Sequence, residues 1–278
     1  MNTTIRKILT ASGPSRRLYY SAREAYHTRR VSKVVGKYFL NANEFKHALV
    51  GHGAVTTPFD LRTSDGLTIT IRRNYGDAMT VAEIFMDNCY VRVLAPPHNY
   101  PVVIDIGGFI GDFSLYAVKR LGARRVIVCE PSPRNWALLL KNIAKNHYED
   151  RIEPVNMAVT DGEEVMMNVA APDESQCMVS AYCQDGQPMQ AVPGISLSQL
   201  LQDHSVDAVD LLKIDCEGGE YPILLNTPSE VYSRIRNIVF EYHDIEGAWA
   251  KLEQVKKRLH EEGYSLRTGR GLVSASRA

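Results

Sequence analysis

The sequence predicts an α/β fold: a doubly wound, mostly parallel sheet with helices on both faces and an antiparallel hairpin at its C-terminal end. Three observations predict it. From residue 102 onward, short apolar runs alternate with amphipathic stretches, the pattern of strand–helix–strand units covered on both faces. A glycine-rich turn, "DIGGFIGD" (105–112), separates the first apolar run from its amphipathic partner. The second apolar run, "RVIVCE" (125–130), ends in an acid, Glu130, which stands 25 positions after Asp105.

The elements follow in order. Residues 54–71 read as a strand pair turning at "TSDG". "TVAEIFMDNCYVRVL" (80–94) reads as a helix, because Val81, Ile84 and Phe85 keep helical spacing, and "APPHNYP" breaks it. "VVID" (102–105) is the first strand of the main sheet, and "FSLYAVKRLG" (113–122) is a helix ended by glycine. After the second strand, "SPRNWALLLKNIAKN" (132–146) is a helix with Ser132 placed to cap it and Pro133 at its first position. "IEPVNMAV" (152–159), "VDLLKID" (209–215) and "NIVFEY" (237–242) are strands three to five. "AWAKLEQVKKRLHEEG" (248–263) is an amphipathic helix, and "YSLRT" with "GLVSAS" forms the closing hairpin. Between strands three and four, "EEVMMNVA" and "MVSAYC" suggest an inserted hairpin within 161–195. The expected organisation is a basic extension (1–53), a small hairpin-and-helix lid (54–98) and the main domain (99–278).

Composition narrows the function classes. The 278 residues carry 32 Lys+Arg against 32 Asp+Glu, so the total charge does not point to nucleic acid or another polyanion. No apolar run approaches the roughly 20 residues needed to cross a bilayer, and the N-terminus lacks the apolar core of a secretory signal. Cys89, Cys129, Cys177, Cys183 and Cys216 are scattered, without a CxxC pair. That argues against a disulfide framework or zinc site and for a reducing, cytoplasmic setting. Cys129 and Cys216 read as small core residues of strands. Residues 1–37 hold nine basic residues and one acid, Glu24. A solvated helix, a membrane-surface or partner-docking helix, and an Arg-rich transit segment all match that composition.

In an open parallel sheet, ligands bind beyond the carboxyl ends of the strands, where strand order reverses. Asp105, Gly107, Gly108 and Gly111 lie at that end of strand one. Glycines there admit a ligand close to the backbone, and Glu130 is placed to accept hydrogen bonds from both hydroxyls of a ribose. Dinucleotide sites use G-x-G-x-x-G with the pyrophosphate at a helix N-terminus. Here the spacing fails, and Asp105 and Asp112 would repel a pyrophosphate. A ligand with a sulfonium and an ammonium and no phosphate, S-adenosyl-L-methionine, suits these charges.

A second cluster lies in "LLKIDCEGGEYPIL" (211–224). Lys213 and Asp215 alternate onto one side of strand four, and Glu217 and Glu220 follow in the turn. One reading is a Lys213 salt bridge with Glu217 and Glu220 at a helix start. The other makes Asp215 functional, because it shares the rim with Asp105. On strand five Glu241 and His243 alternate onto one side. With strand five beside strand four, His243 approaches Asp215, a pair able to orient a hydroxyl and take its proton. Carboxylates with a histidine also suit a divalent metal, but the spacing is not diagnostic, and no metal is predicted.

These pieces together resemble the FkbM-type S-adenosylmethionine-dependent methyltransferases over residues 80–264. "VVIDIGGFIGDFSLYA", "VIVCEPSPRNWALLLKNIAKN", "ISLSQLL" with "VDLLKIDCEGGE", and "IVFEYH" carry the resemblance, in that order. The chain departs from the family at Gly108-Phe109, where Ala-Asn is usual, and at Gly219, where Ala is usual. The resemblance implies a Rossmann-like class I methyltransferase fold and O-methylation of a hydroxyl on a sugar, glycan or natural-product acceptor. It implies a cofactor site of Asp105, Gly107, Gly108, Gly111, Ser114, Glu130 and Ala158, with Glu83 and Tyr90 closing from the preceding helix. The catalytic group it implies is Asp215, His243 and Glu241. "NMAV" offers the adenine no acid, which leaves backbone or Asp161. Two rivals stand beside this reading: a nicotinamide-dependent oxidoreductase on the same architecture, and a non-catalytic binding module working through the basic N-terminus.

Overall fold

The computed structural model describes residues 31, 33–50, 57–73, 75–162, 164–168, 189–243, 248–269 and 271–277. Among the described residues, a short 3-10 helix (Val35–Lys37) is followed by α1 (Ala42–Val50), the antiparallel pair β1 (Phe59–Arg62) and β2 (Thr68–Ile71), and α2 (Tyr75–Phe85). The alternating unit comes next as β3 (Val102–Ile106), α3 (Asp112–Arg120), β4 (Arg125–Cys129), α4 (Pro133–Lys145) and β5 (Ile152–Val155). Short pieces succeed it: β6 (Ala158–Thr160), β7 (Val165–Asn168), β8 (Met189–Val192), β9 (Gly194–Ser196) and α5 (Leu197–Asp203). The C-terminal part holds β10 (Leu211–Ile214), α6 (Glu220–Asn226), α7 (Ser229–Tyr232), β11 (Asn237–Glu241), α8 (Ala248–Glu261), β12 (Ser265–Gly269) and β13 (Leu272–Ser276).

The doubly wound sheet expected from the sequence is present. Its order is β12-β13-β11-β10-β3-β4-β5. The five strands from β11 to β5 are parallel, and β13 runs antiparallel to both β11 and β12. Strand order reverses between β3 and β10, so the crevice for a ligand opens above those two strands. Alternation along each strand divides the core. Val103, Val126 and Val128 face a cluster with α2, α3 and α4, while Ile104, Ile106 and Ile127 face one with α5, α6 and α8.

Several boundaries differ from the sequence reading, for local reasons. The helix expected over 80–94 runs instead over Tyr75–Phe85, and Asn88, in a left-handed conformation, belongs to the turns beyond it. Strand three is broken. Asn156 turns its amide to the Glu130 carbonyl at 2.8 Å, and the chain leaves the main sheet, so that β6 pairs with β9. Ser132 holds the N-cap position of α4, but its side chain makes no capping bond; the Glu130 carboxylate accepts the Ser132 N–H at 2.8 Å instead. The inserted hairpin is β7 with β8. Its second arm is residues 189–192, not "MVSAYC", which lies outside the described residues. Cys216 is not inside a strand but in the turn after β10.

The β1–β2 pair is tied firmly to the main domain. The side-chain amide of Asn142 on α4 bonds the Thr70 N–H and C=O at 2.7 and 3.1 Å, and Asn146 repeats the pattern on Thr68. These amides satisfy backbone groups of β2 that its partner leaves open. Of the basic stretch 1–37, residues 1–30 and 32 lie outside the described residues. The segment leading into α1 is packed against the main domain, with Val35, Phe39 and Phe45 fully buried beside Phe85. Among the described residues, no helix is long and apolar enough to cross a membrane.

Candidate active site

A cavity of about 420 Å³ opens above the carboxyl ends of β3, β4, β10 and β11, within the range of small-molecule sites. Its floor is built around a buried ion pair. Lys213 and Asp105 are register partners on neighbouring parallel strands, and Nζ lies 3.0 Å from Oδ1. The other Asp105 oxygen accepts the Ser114 hydroxyl at 2.7 Å. Lys213 also donates to the Gly107 carbonyl at 2.7 Å, so the pair fixes the path of the glycine turn. Burial works against the ammonium, but the charges of Asp105 and Asp215 prevail and raise its pKa.

This arrangement corrects part of the sequence reading. Asp105 is fully buried, and neither it nor Gly108, Gly111, Ser114 or Asp112 lines the cavity. Asp105 supports the turn from beneath, through Lys213 and Ser114. The predicted residues that do line it are Gly107, Glu130, Ala158 and Glu83 on one part of the wall, and Asp215, Glu241 and His243 on another. The negative charge at the cavity therefore comes from acids other than Asp105 and Asp112. Glu83, Glu130, Asp161, Asp215, Glu217 and Glu241 face the space. Among the described residues, no lysine or arginine lines it, and His243 beside Asp215 is the cationic group it offers a phosphate.

Glu130 ends β4 as expected and is almost fully buried. One oxygen accepts the Phe109 N–H and the other the Ser132 N–H, both at 2.8 Å. The Asn135 side-chain amide adds a longer bond to Oε1 at 3.5 Å; a carboxylate has about four acceptor positions, so one remains for a ligand hydroxyl and a second opens if Asn135 yields. Burial pushes its pKa up to about 7, against the pull of those N–H bonds. Gly107 has φ +78°, and a Cβ there would lie 1.7 Å from the Asp215 carbonyl oxygen. At Gly108 a Cβ would meet a Val128 methyl at 2.2 Å. Phe109 sits next in the left-handed region at φ +48°, which costs a side-chain-bearing residue roughly 1–2 kcal/mol. Its N–H bond to Glu130 and the Arg72 guanidinium 5.3 Å over its ring hold it there. An asparagine, usual at this place in the resembled family, tolerates that conformation more readily.

At the other end of the cavity, adjacent strands β10 and β11 bring Asp215, Glu241 and His243 together, as alternation predicted. Tyr90 donates its hydroxyl to Asp215 Oδ2 at 2.6 Å. His243 Nε2 lies 3.7 Å from Asp215 Oδ1 and 3.5 Å from Glu217 Oε2. Its Nδ1 lies 3.2 Å from Glu220 Oε1, which also accepts the His243 backbone N–H at 3.0 Å. Burial lowers the imidazole pKa, but the Glu220 bond and the charges of Glu217, Glu220 and Asp215 overcome it and raise it to about 10. At neutral pH His243 is therefore an imidazolium and has no lone pair with which to take a proton. Burial pushes Glu241 up to about 8, with Asp215 adding to the shift and His243 opposing it. Burial likewise lifts Glu217 to about 7.

Glu220 stands at the start of α6, as expected. It is fully buried and orients His243. Tyr90, expected to close over the cofactor, lines the cavity, and its hydroxyl bonds Asp215. Met157, Met167 and Thr160 of the wall carry no sequence signal beyond their apolar or small character. Cys89 and Cys216 also line the cavity, and burial raises both thiols well above their ordinary range, which leaves them protonated and weakly nucleophilic.

Among known protein families, the model described as Methyltransferase FkbM domain matches residues 105–266. The chain is 28% identical over 236 residues to the 31-O-demethyl-FK506 methyltransferase FkbM of Streptomyces tacrolimicus, covering 74% of this chain and 88% of that protein. It is 23% identical over 242 residues to methyltransferase sdnD of Sordaria araneosa, covering 77% and 92%. Among solved structures, the methyltransferase FkbM from Methylobacillus flagellatus KT superposes with a TM-score of 0.43 at 16% identity, covering 72% of this chain and 53% of that one.

Proposed function

The chain belongs to the FkbM methyltransferase family, and from that premise we propose that it transfers the methyl group of S-adenosyl-L-methionine to a hydroxyl of a small-molecule or glycan acceptor. The observation that carries this reading is one cavity with two chemically distinct ends. The Gly107–Glu130 end suits the cofactor: a close backbone approach, a ribose-accepting carboxylate and no cation for a phosphate. The Asp215–Glu241–His243 end suits an acceptor. The cofactor supplies an electrophilic methyl group on a positive sulfur.

The rest falls to the chain. The acceptor oxygen forms a bond to the methyl carbon as the carbon–sulfur bond breaks, and the hydroxyl proton leaves to a base. His243, held as an imidazolium, is not that base. Asp215 takes the role, with Tyr90 fixing one oxygen and the other directed at the cavity. His243 in turn offers Nε2–H to orient an acceptor oxygen. Positioning supplies much of the rate in such a displacement. The test is a screen with methyl-labelled S-adenosylmethionine against sugar, glycolipid and polyketide acceptors. Label appearing in an ether supports the reading; label on nitrogen or carbon alone overturns the O-methyl assignment.

Glu130 makes cofactor binding depend on pH. Ribose hydroxyls donate to the ionised carboxylate, so binding favours the deprotonated form. With a pKa of about 7 in the free protein, affinity for S-adenosylhomocysteine should fall up to tenfold per unit as pH drops below 7 and level off above it. Calorimetry from about pH 5.5 to about pH 8.5, roughly one and a half units to either side of that pKa, reads this directly. The dependence should vanish in Glu130→Gln, and a flat profile in the native protein would remove the role assigned to that carboxylate.

A further inference from the structure

We propose that Asp215, Glu241 and His243 form a divalent-cation site at the acceptor end of the cavity. One donor atom from each residue lies within 4.8 Å of the other two. Oxygen and nitrogen ligands about 2.1 Å from an ion sit roughly 3–4 Å from one another, so small side-chain movements bring these three onto a common centre.

Each donor is left facing the cavity by partners outside the triad. Tyr90 occupies Oδ2 of Asp215 at 2.6 Å, which leaves Oδ1 toward His243. The fully buried Glu220 holds the Nδ1 side of His243 at 3.2 Å, which turns Nε2 into the cavity. A carboxylate behind the distal nitrogen of a histidine is the usual support of a metal-ligating imidazole. The Glu241 carboxylate accepts no hydrogen bond from any described residue, although it ends a central strand and lines the cavity.

Two carboxylates and one imidazole with open positions suit Mg²⁺ or Mn²⁺. A ligating imidazole is neutral, so with the ion bound His243 Nε2 holds the ion in place of donating to the acceptor oxygen. The ion's chemical use, gripping the acceptor hydroxyl oxygen and making it more acidic, rests on the methyl-transfer reading. Its binding does not.

The experiment is a Mn²⁺ titration of the purified chain without cofactor, read by loss of the free-ion electron paramagnetic resonance signal. Saturable binding at a single site is expected, with competition by Mg²⁺. Glu241→Gln should weaken it at least about tenfold. Tyr90→Phe, a milder change to the supporting shell, should weaken it by about 10–100-fold. The exposed Glu149→Gln should leave it unchanged. Absence of saturable binding, or binding indifferent to both Glu241→Gln and Tyr90→Phe in folded proteins, overturns the site and leaves a plain imidazolium–carboxylate cluster. S-adenosylhomocysteine is titrated into the same preparations. Mn²⁺ binding without it supports the ion site and removes methyl transfer; the converse removes the ion site alone.

Discussion

Asp215→Asn is expected to keep the affinity for S-adenosylhomocysteine within about threefold and to lower methyl transfer by about 10²–10⁴-fold, the usual range for losing a positioned base. The substitution preserves shape, and the amide oxygen can still accept the Tyr90 hydroxyl that now bonds Oδ2. What disappears is a negative charge 3.7 Å from His243 Nε2 and a proton acceptor at the cavity wall. The cofactor end is untouched, because Glu130 and the glycine turn are held by their own partners. Single-turnover transfer of labelled methyl to the acceptor found by screening, beside calorimetry, separates the two effects. A more than tenfold loss of S-adenosylhomocysteine affinity would instead place Asp215 in the cofactor site.

Gly107→Ala is expected to cost at least about 3 kcal/mol of stability, the sum of a strained backbone and an overpacked contact. The added carbon lies 1.7 Å from a backbone oxygen of Asp215, and that oxygen cannot rotate away as a side chain could. Either the turn or the end of β10 must move, and both belong to the cavity. Gly111→Ala makes the control. Its φ is also positive, at +84°, but the nearest neighbour is Leu139 Cγ at 3.5 Å, so it bears only the conformational cost of about 1–2 kcal/mol. Urea unfolding of the two variants reads the difference. Equal stabilities would show that close approach to Asp215 does not constrain this turn.

The parallel sheet, its five core strands and the two ends of the site were legible because period-two apolar runs and charged strand ends state them directly. Glu130, Asp215, Glu241 and His243 all reach the cavity for that reason. Asp105 misled because a carboxylate at a strand end looks alike whether it faces a ligand or a buried lysine. Only the register, which sets it opposite Lys213, decides, and register between strands 108 residues apart is not written locally. The break after Val155 was hidden because "IEPVNMAV" is largely apolar, and the bond from Asn156 to the Glu130 carbonyl is a tertiary event. The orientation of His243 by Glu220 is of the same kind.

The central claim is that the cavity takes a phosphate-free adenosyl sulfonium cofactor, with Glu130 as its ribose partner. Calorimetric titration of S-adenosylhomocysteine into the native chain, and into a folded Glu130→Ala variant, tests it most directly. The expected result is saturable binding with one ligand per chain, weakened in the variant by about 1.5–3 kcal/mol, the worth of a hydrogen bond to a charged group. No heat from the native protein, equal affinity in the variant, or preferential binding of a nicotinamide dinucleotide would contradict it.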